Sequence, residues 1–503
     1  MTVSVRRLAC ARQFVAGWVA RFAARFEPRV VAPVAALAAA LALAACTTLE
    51  PALPEADASI PAQWPLPPTT AGAAQGEHAQ GAFDAQRGIV DVGWRDFFID
   101  PTLERLIEQA LAGNRDLRVA ALNVERAQAL YRVQRAEQLP AVGVQGVATR
   151  ASGTGPQFRD QYSVSLGLAA FEIDLFGRVR SLSRSALEQF FATESAQRSV
   201  QLTLIAEVAN AYLTWIADRE STRVAQAALE NREQVLDLTR KRYEYGAVSA
   251  LDVSQAETSV EQARTDASRF AGQAAQDLNA LRLLVGAPID EASIPDRSDL
   301  AVSGLRALPA GVPSEVLLRR PDVQQAEHRL LSANANIGAA RAAFFPSIRL
   351  TGAIGTASGD LSGLFKSGSR FWTFGPQLNL PIFEGGALRA NLRVTQAERD
   401  IALAQYERSI QAGFREVADA LALTRTLAEQ KAAQLALIAA ARRAEELSRS
   451  RYEAGRDSYL VLLDAQRTLY GARQSLIATQ LAEQANRVTL YRVLGGGWNE
   501  RTQ

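Results

Sequence analysis

Two stretches of the chain carry a long helical pattern of apolar and polar residues. Between positions 178 and 245 there is no glycine or proline, and residues with high helix propensity dominate. The second stretch, from 387 to 454, is interrupted only by Gly413. Each predicts a helix of roughly 100 Å, far longer than the apolar thickness of a bilayer, roughly 30 Å. The apolar side chains of the first recur at three- and four-residue spacing, as in a coiled coil: Leu202, Ile205, Val208, Ala209, Tyr212 and Ile216.

Four shorter segments alternate between apolar and polar or small residues. They predict strands at about 141–150, 162–173, 347–357 and 371–382. Such segments are typical of transmembrane β-barrels, although a half-buried soluble hairpin fits almost as well. Four strands cannot close a membrane barrel, and an open edge in lipid leaves backbone groups without hydrogen bonds. The chain is therefore expected to oligomerise, with eight strands from two copies or twelve from three.

The chain is an internal duplication. RYEYGAVSALDVSQAE begins at Arg242, and RYEAGRDSYLVLLDAQ begins at Arg451. The halves align at an offset of about 206 before the predicted strands and about 209 after them. Each half is predicted to contain a helix, two strands, a very long helix, a turn and a second helix. The predicted repeats cover 94–300 and 301–498, with helical hairpins at about 178–285 and 387–494 and a tail at 499–503.

The N-terminus predicts export. An arginine-rich region precedes an apolar run that is short for a bilayer span and ends in Leu43-Ala44-Ala45-Cys46. This ending resembles the lipobox of bacterial lipoproteins, so residues 1–45 are predicted to be a signal peptide and Cys46 to be lipidated. An ordinary signal peptide with a chance cysteine is the alternative. The Pro/Ala-rich segment 46–93 is predicted to be a tether that buries no core and runs extended over a surface.

Composition excludes several classes of function. The chain has two Cys, two His and a formal net charge of +2. A disulfide framework, a Cys/His metal cluster and a histidine-based catalytic triad are therefore disfavoured, and there is no nucleic-acid footprint. The chain is predicted to be no enzyme and to need no cofactor.

Each RYE motif must reverse the chain between two helices. Gly246 and Gly455 suit a helix C-terminus that needs a positive φ. Ser249 and Ser458 suit the N-cap of the returning helix, and Ser249 with Asp252 reads as a capping box that the second hairpin lacks. These five residues are predicted to shape the hairpin tips.

Several motifs are those of a known family. LPAGVPSEVLLRRPDV (308–323) is the most specific, and it is joined by DLFGR (174–178), PIFEGG (381–386), LGGGW (494–498) and both RYE motifs. The sequence resembles the TolC/OprM-type outer-membrane factors, over essentially 94–498. It departs from the common strand-to-helix corner at Glu384 and Ala387, which puts salt bridging at this corner in doubt.

The resemblance implies a fold and a set of partners. The fold is mainly α with a membrane β-barrel: a homotrimer with a twelve-stranded barrel in the outer membrane, an α-helical barrel through the periplasm and a mixed equatorial region. The implied function is the exit duct of a tripartite efflux pump for drugs and other small molecules. Its partners would be a periplasmic adaptor protein, an inner-membrane RND transporter and outer-membrane lipid.

The resemblance also implies a gate in the second hairpin. Leu460 and Asp464, repeated threefold, would form an apolar constriction and a carboxylate ring. Arg451 and Tyr452 would latch neighbouring helices, and Asp457 belongs to the same tip. The first-hairpin tip, with Gly246, Ser249 and Asp252, would face the adaptor, as would Gly455 and Ser458.

Three alternatives remain from the sequence. The same fold serves as the duct of type I protein secretion or of metal efflux, although one Met and two His do not favour a metal-lined lumen. A structural coiled coil that spans the envelope without a pore belongs to a different class. An enzyme is the poorest option.

Overall fold

The computed structural model describes residues 49–61, 64, 92–152, 158–291, 294, 314–496 and 499–501. They fall into two compact units. The sheet unit comprises Met1–Pro54, Gln128–Gln189 and Leu330–Ile401, and the helical unit comprises Glu55–Ala127, Phe190–Arg329 and Ala402–Gln503. The predicted signal peptide and Cys46 lie outside the described residues.

The sheet unit contains the four predicted strands in one antiparallel sheet. Strands β1 (Val142–Ser152), β2 (Phe158–Ile173), β3 (Ser347–Ser358) and β4 (Arg370–Asn379) follow one another in chain order across the sheet. The last strand ends at 379 rather than at the predicted 382, because Leu380 and Pro381 already lead into the turn before the next helix. Among the described residues, the outer edges of β1 and β4 pair with no further strand.

One face of this sheet is apolar and exposed. The register places Val144, Leu166, Ile354 and Trp372 in a single row across all four strands. These side chains are between 49% and 75% exposed in one chain. Apolar residues that alternate on a strand and face outward are typical of the lipid-facing surface of a barrel.

The helices follow the predicted duplicated order. They are α1 (Trp94–Phe97), α2 (Pro101–Gly113), α3 (Arg115–Ala136), α4 (Arg178–Glu244), α5 (Ala250–Val285), α6 (Pro321–Ala342), α7 (Ala387–Glu453) and α8 (Tyr459–Val493). Short 3-10 turns cover Ser314–Arg319 and Leu361–Gly363. The long helices α4 and α7 have 67 residues each. By length and composition, α4 contains an apolar stretch that could cross a bilayer. Most of this stretch is buried within the protein, so it packs as part of the helical core.

Helix α7 continues through Gly413, the glycine that interrupts its sequence pattern. A Cβ at this position would lie 3.2 Å from a methyl group of Leu317 and 3.2 Å from Nη1 of Arg320. Arg320 is 5% exposed. Its guanidinium donates to Asp322, Glu416 and the carbonyl of Val493 at 2.7–3.0 Å. The glycine therefore makes room for a buried arginine of the LPAGVPSEVLLRRPDV motif.

The N-terminal segment is more than a surface tether. In the helical unit, Trp64 is 7% exposed and stacks on Phe414 with ring centroids 4.5 Å apart. Upstream, the Asp57 amide donates to Glu407 Oε1 at 3.1 Å, and Gln411 Nε2 donates to the Ala58 carbonyl at 3.2 Å. The prediction that this segment buries no core is wrong for Trp64, because a single indole supplies apolar area that the surrounding Pro/Ala-rich composition lacks.

The same segment also binds within the sheet unit. Arg184 Nη1 donates to Glu50 Oε2 at 3.0 Å, and Arg341 Nη1 donates to the Leu49 carbonyl at 3.2 Å. A Cβ on Gly338 would lie 2.6 Å from Glu50 Cγ, so this glycine leaves the space that the glutamate occupies. Leu49 and Glu50 are thus fixed to the protein.

The two strand-to-helix corners differ in their ion pairs. In the first corner, Arg178 forms a bidentate pair with Glu172 at 2.8 and 2.9 Å, and Arg180 pairs with Asp174 at 3.2 Å. In the second corner, no ion pair to Glu384 occurs within the described part of the chain. This agrees with the doubt that the sequence raised about salt bridging there.

Candidate gate at the tips of the helical hairpins

Both hairpin tips lie in the helical unit and share one backbone geometry. Gly246 and Gly455 have φ of 68° and 71°, as the sequence predicted. In the first tip the amides of Gly246 and Ala247 donate to the carbonyls of Tyr243 and Arg242 at 2.9 and 2.8 Å. The second tip repeats this pair of bonds at 2.9 Å each, from Gly455 and Arg456. Each long helix therefore ends in a Schellman-type turn that requires glycine.

Different side chains close the two turns. Ser249 and Asp252 form the predicted capping box, since the Asp252 amide donates to Ser249 Oγ at 3.2 Å and the Ser249 amide donates to Asp252 Oδ2 at 2.9 Å. Ser458 occupies the N-cap position of α8 but makes no side-chain capping bond. In that turn Arg451 instead pairs with Asp457 at 2.5 and 2.8 Å.

The ion pair of the second tip lies within a single turn. Hydrogen bonds from Arg451 hold the pKa of Asp457 below its usual value. The contact is therefore complete at neutral pH and is lost as the pH falls through that lowered pKa. Among the described residues the Arg451 side chain bonds only to Asp457, so its predicted role as a latch between helices would require another copy of the chain.

Tyr452 does connect the two hairpins. Its side chain is 1% exposed, and its hydroxyl lies 2.8 Å from Thr239 Oγ1 on α4. Arg242, near the end of α4, donates to the carbonyls of Tyr452 and Glu453 at 2.7 and 2.5 Å. The Arg242 guanidinium also lies 4.8 Å from the centroid of the Tyr452 ring. A cation at these last carbonyls of α7 satisfies groups that the helix itself leaves unpaired.

Arg242 is a functional candidate that sequence reasoning missed. It is the repeat equivalent of Arg451, and Tyr243 is the equivalent of Tyr452. Tyr243 is nevertheless 49% exposed, whereas Tyr452 is buried. Among the described residues, the arginine of the first tip and the tyrosine of the second tip thus make the contacts between the hairpins. The aligned repeat sequences do not predict this difference, because it depends on how the two hairpins pack against each other.

The interior behind the tips is apolar with two tyrosines. Tyr452 and Tyr459 lie with ring centroids 5.9 Å apart in one cluster with residues of α4, α5 and α8. The other buried members of the cluster are Val235, Leu236, Ala256, Val260, Leu462 and Leu463. This cluster fixes α8 against the first hairpin and so determines which α8 residues face outward.

The two predicted gate residues face outward together. Leu460 is 57% exposed and Asp464 is exposed, one helical turn apart on α8. No ion pair to the Asp464 side chain occurs in the portion of the chain that the structure describes. In the first hairpin, Leu251 is 65% exposed and Gln255 is partly buried. One chain therefore leaves both leucines free for contact with other copies.

Known proteins share this architecture. The family described as outer membrane efflux protein matches residues 106–287 and 312–496, one segment in each repeat. The chain belongs to this family. An antibiotic efflux pump outer membrane protein, ArpC of Pseudomonas putida, is 46% identical over 92% of the chain and 94% of its own length. A toluene efflux pump outer membrane protein of the same species, TtgC, is equally similar.

A solved structure supports the same assignment. The open state of the MtrE outer membrane channel of Neisseria gonorrhoeae has a TM-score of 0.80 and 37% identity, covering 91% of this chain and all of that one. The predicted resemblance to outer-membrane factors and the predicted fold class are confirmed. This outer membrane efflux protein is a channel that extends into the periplasm, and it serves as the passive exit duct of an efflux pump rather than as an enzyme.

Proposed function

We propose that three copies of this outer membrane efflux protein form the duct and that it is the outer-membrane component of a tripartite pump. A periplasmic adaptor and an inner-membrane RND transporter would deliver drugs and other small molecules to its tip. The observation that carries the trimer is the four-stranded sheet, whose apolar face is exposed and whose edges are open. Twelve strands close such a sheet around a conduit, whereas eight leave a lumen filled by side chains.

The proposed trimer can be tested by the mass of the purified particle. Purified protein in mild detergent is expected to give three chains per particle by light scattering or native mass spectrometry. A stable monomer would contradict both barrel and duct, and a stable dimer would contradict the conduit.

The substrate class is inferred from the relatives. ArpC and TtgC are described as components of antibiotic and toluene efflux pumps. We infer small, mainly apolar molecules as cargo. Loss of this chain should lower resistance to such compounds in the parent cell, and restoration should require the cognate adaptor and transporter.

The gate proposal places Leu460 and Asp464 at the narrowest point of the trimer. Their joint exposure on one face of α8, next to the fixed interior of Tyr452 and Tyr459, supports this position. Threefold repetition would give an apolar ring one turn from a ring of three carboxylates. Apolar constrictions dewet, and clustered carboxylates favour cations, so together they restrict passage at rest. Gly246, Ser249, Asp252, Gly455 and Ser458 would form the rim that the adaptor contacts.

Lipidation of Cys46 is a separate prediction. A Cys46→Ser protein is expected to lose metabolic labelling by palmitate, because the thiol is the acylation site in the lipobox reading. Unchanged labelling would contradict the lipid anchor. Cys10→Ser is the matched control, since it removes the other cysteine and should leave labelling intact.

A further inference from the structure

A small, partly open cavity lies in the helical unit. It has a volume of about 120 Å³ and lies between α4, α7 and α8. Its polar lining comprises Asn231, Arg232, Glu445, Gln466, Tyr470 and Arg473. Two guanidinium groups on two different helices thus border one cavity.

Arg232 is a buried cation whose charged form is favoured by the nearby Asp266 carboxylate. It is 5% exposed, and its Nη1 donates to the carbonyl of Ser259 at 3.0 Å. Its guanidinium lies 5.5 Å from the centroid of the Tyr470 ring. No acidic side chain forms an ion pair with it in the described ranges. Burial lowers the pKa of Arg232. A buried cation with so few partners is costly, which favours the binding of a counterion.

Arg473 adds a second positive charge at the same cavity. Burial and the nearby Arg442 lower its pKa. Glu445 also lines the cavity; its carboxylate accepts from Arg449 at 2.6 and 3.1 Å and favours the charged form of Arg473, so the lining holds two arginines against one glutamate. The cavity therefore has a net positive charge.

A polar atom at the cavity also lacks a partner. Gln466 is 8% exposed, and its Nε2 donates to Asn231 Oδ1 at 3.0 Å. Its Oε1 is buried and forms no hydrogen bond within the described chain. Buried polar atoms are nearly always satisfied by protein, water or ligand. A ligand with a hydroxyl group would donate a hydrogen bond to this oxygen.

We infer that this cavity binds a small oxyanion of the phosphate class between Arg232 and Arg473. Oxyanions suit guanidinium donors in geometry and charge, and monohydrogen phosphate also carries a hydroxyl for Gln466. The volume exceeds what a single water requires. Bound there, the anion would link α4 to α8 and reduce the repulsion between their arginines. This inference goes beyond the exit-duct function and does not depend on the gate.

The test is equilibrium binding of radiolabelled inorganic phosphate to the purified full-length protein in detergent, at constant ionic strength set with sodium chloride. Wild type is expected to bind one phosphate per chain. Arg473→Gln should weaken binding at least about tenfold, the usual effect of losing a hydrogen bond to a charged group. Arg473→Lys keeps the charge and should retain part of the affinity.

Arg443→Gln is the control, since it removes an exposed arginine of α7 that does not line the cavity. It should bind as wild type does. Absence of saturable phosphate binding in wild type would overturn the proposal and would mean that water or a carboxylate from another chain fills the cavity. Equal weakening by the Arg443 and Arg473 variants would also overturn it, because phosphate binding would then depend on the total surface charge and not on this cavity. An oligomeric-state measurement on each variant confirms that the comparison concerns folded protein.

Discussion

Replacing Leu460 and Asp464 together by alanine is expected to raise single-channel conductance and to weaken cation preference. The change removes an apolar ring and three carboxylates per trimer from the proposed constriction. Both side chains are exposed in one chain, so each chain should lose little stability, within about 0.5 kcal/mol. The measurement is planar-bilayer recording of the wild type and the double variant under the same salt gradient.

The repeat offers a matched control for the gate. Leu251 and Gln255 occupy the corresponding positions of the first hairpin, and Leu251 is 65% exposed against 57% for Leu460. Their replacement by alanine should change the current less. Equal currents in all three proteins would refute the gate assignment. A larger effect of the first-hairpin pair would mean that the two hairpins exchange roles.

Arg242→Ala is expected to loosen the tips and to increase the open fraction of the channel. The substitution removes two charge-assisted hydrogen bonds to the last carbonyls of α7 and the contact with the Tyr452 ring. Since Arg242 is partly exposed, we expect a loss of about 1–2 kcal/mol per chain, toward the lower part of the range for hydrogen bonds to charged groups. Hydrogen exchange of peptides around 445–460 should quicken, and open-channel events should become more frequent.

Arg451→Ala is the matched comparison for Arg242. It removes an ion pair within one exposed turn, and exposed pairs contribute little. Exchange at the tip should therefore change less than in the Arg242 variant. A larger effect of Arg451 would show that its role lies in a contact with another copy, as the sequence resemblance implies, and would remove Arg242 from the gate.

Much of the fold could be predicted because its signals are local and repeated. Long runs of helix formers define α4 and α7, alternation defines the strands, and Gly246 and Gly455 mark both turns. These features depend on backbone preference and on side-chain periodicity, which a single sequence records. Because the chain is an internal duplication, each of these patterns occurs twice in the sequence.

The less predictable features depend on tertiary contacts. Trp64 lies in a Pro/Ala-rich segment, and only the position of Phe414 makes it a core residue. In the sequence Gly413 interrupts the helical pattern of α7, whereas in the structure it makes room for the side chain of Arg320. Arg242 and Arg451 are identical in the repeat, and the packing of one hairpin on the other gives them different partners.

The most direct test of the exit-duct account is the current carried by the purified wild-type protein in a planar lipid bilayer. Incorporation should produce discrete conductance steps of one size, small at rest because the proposed gate narrows the tips. A protein that inserts as trimers yet gives no current above background, even when Leu460 and Asp464 are replaced, would contradict the account and would favour a structural coiled coil without a pore.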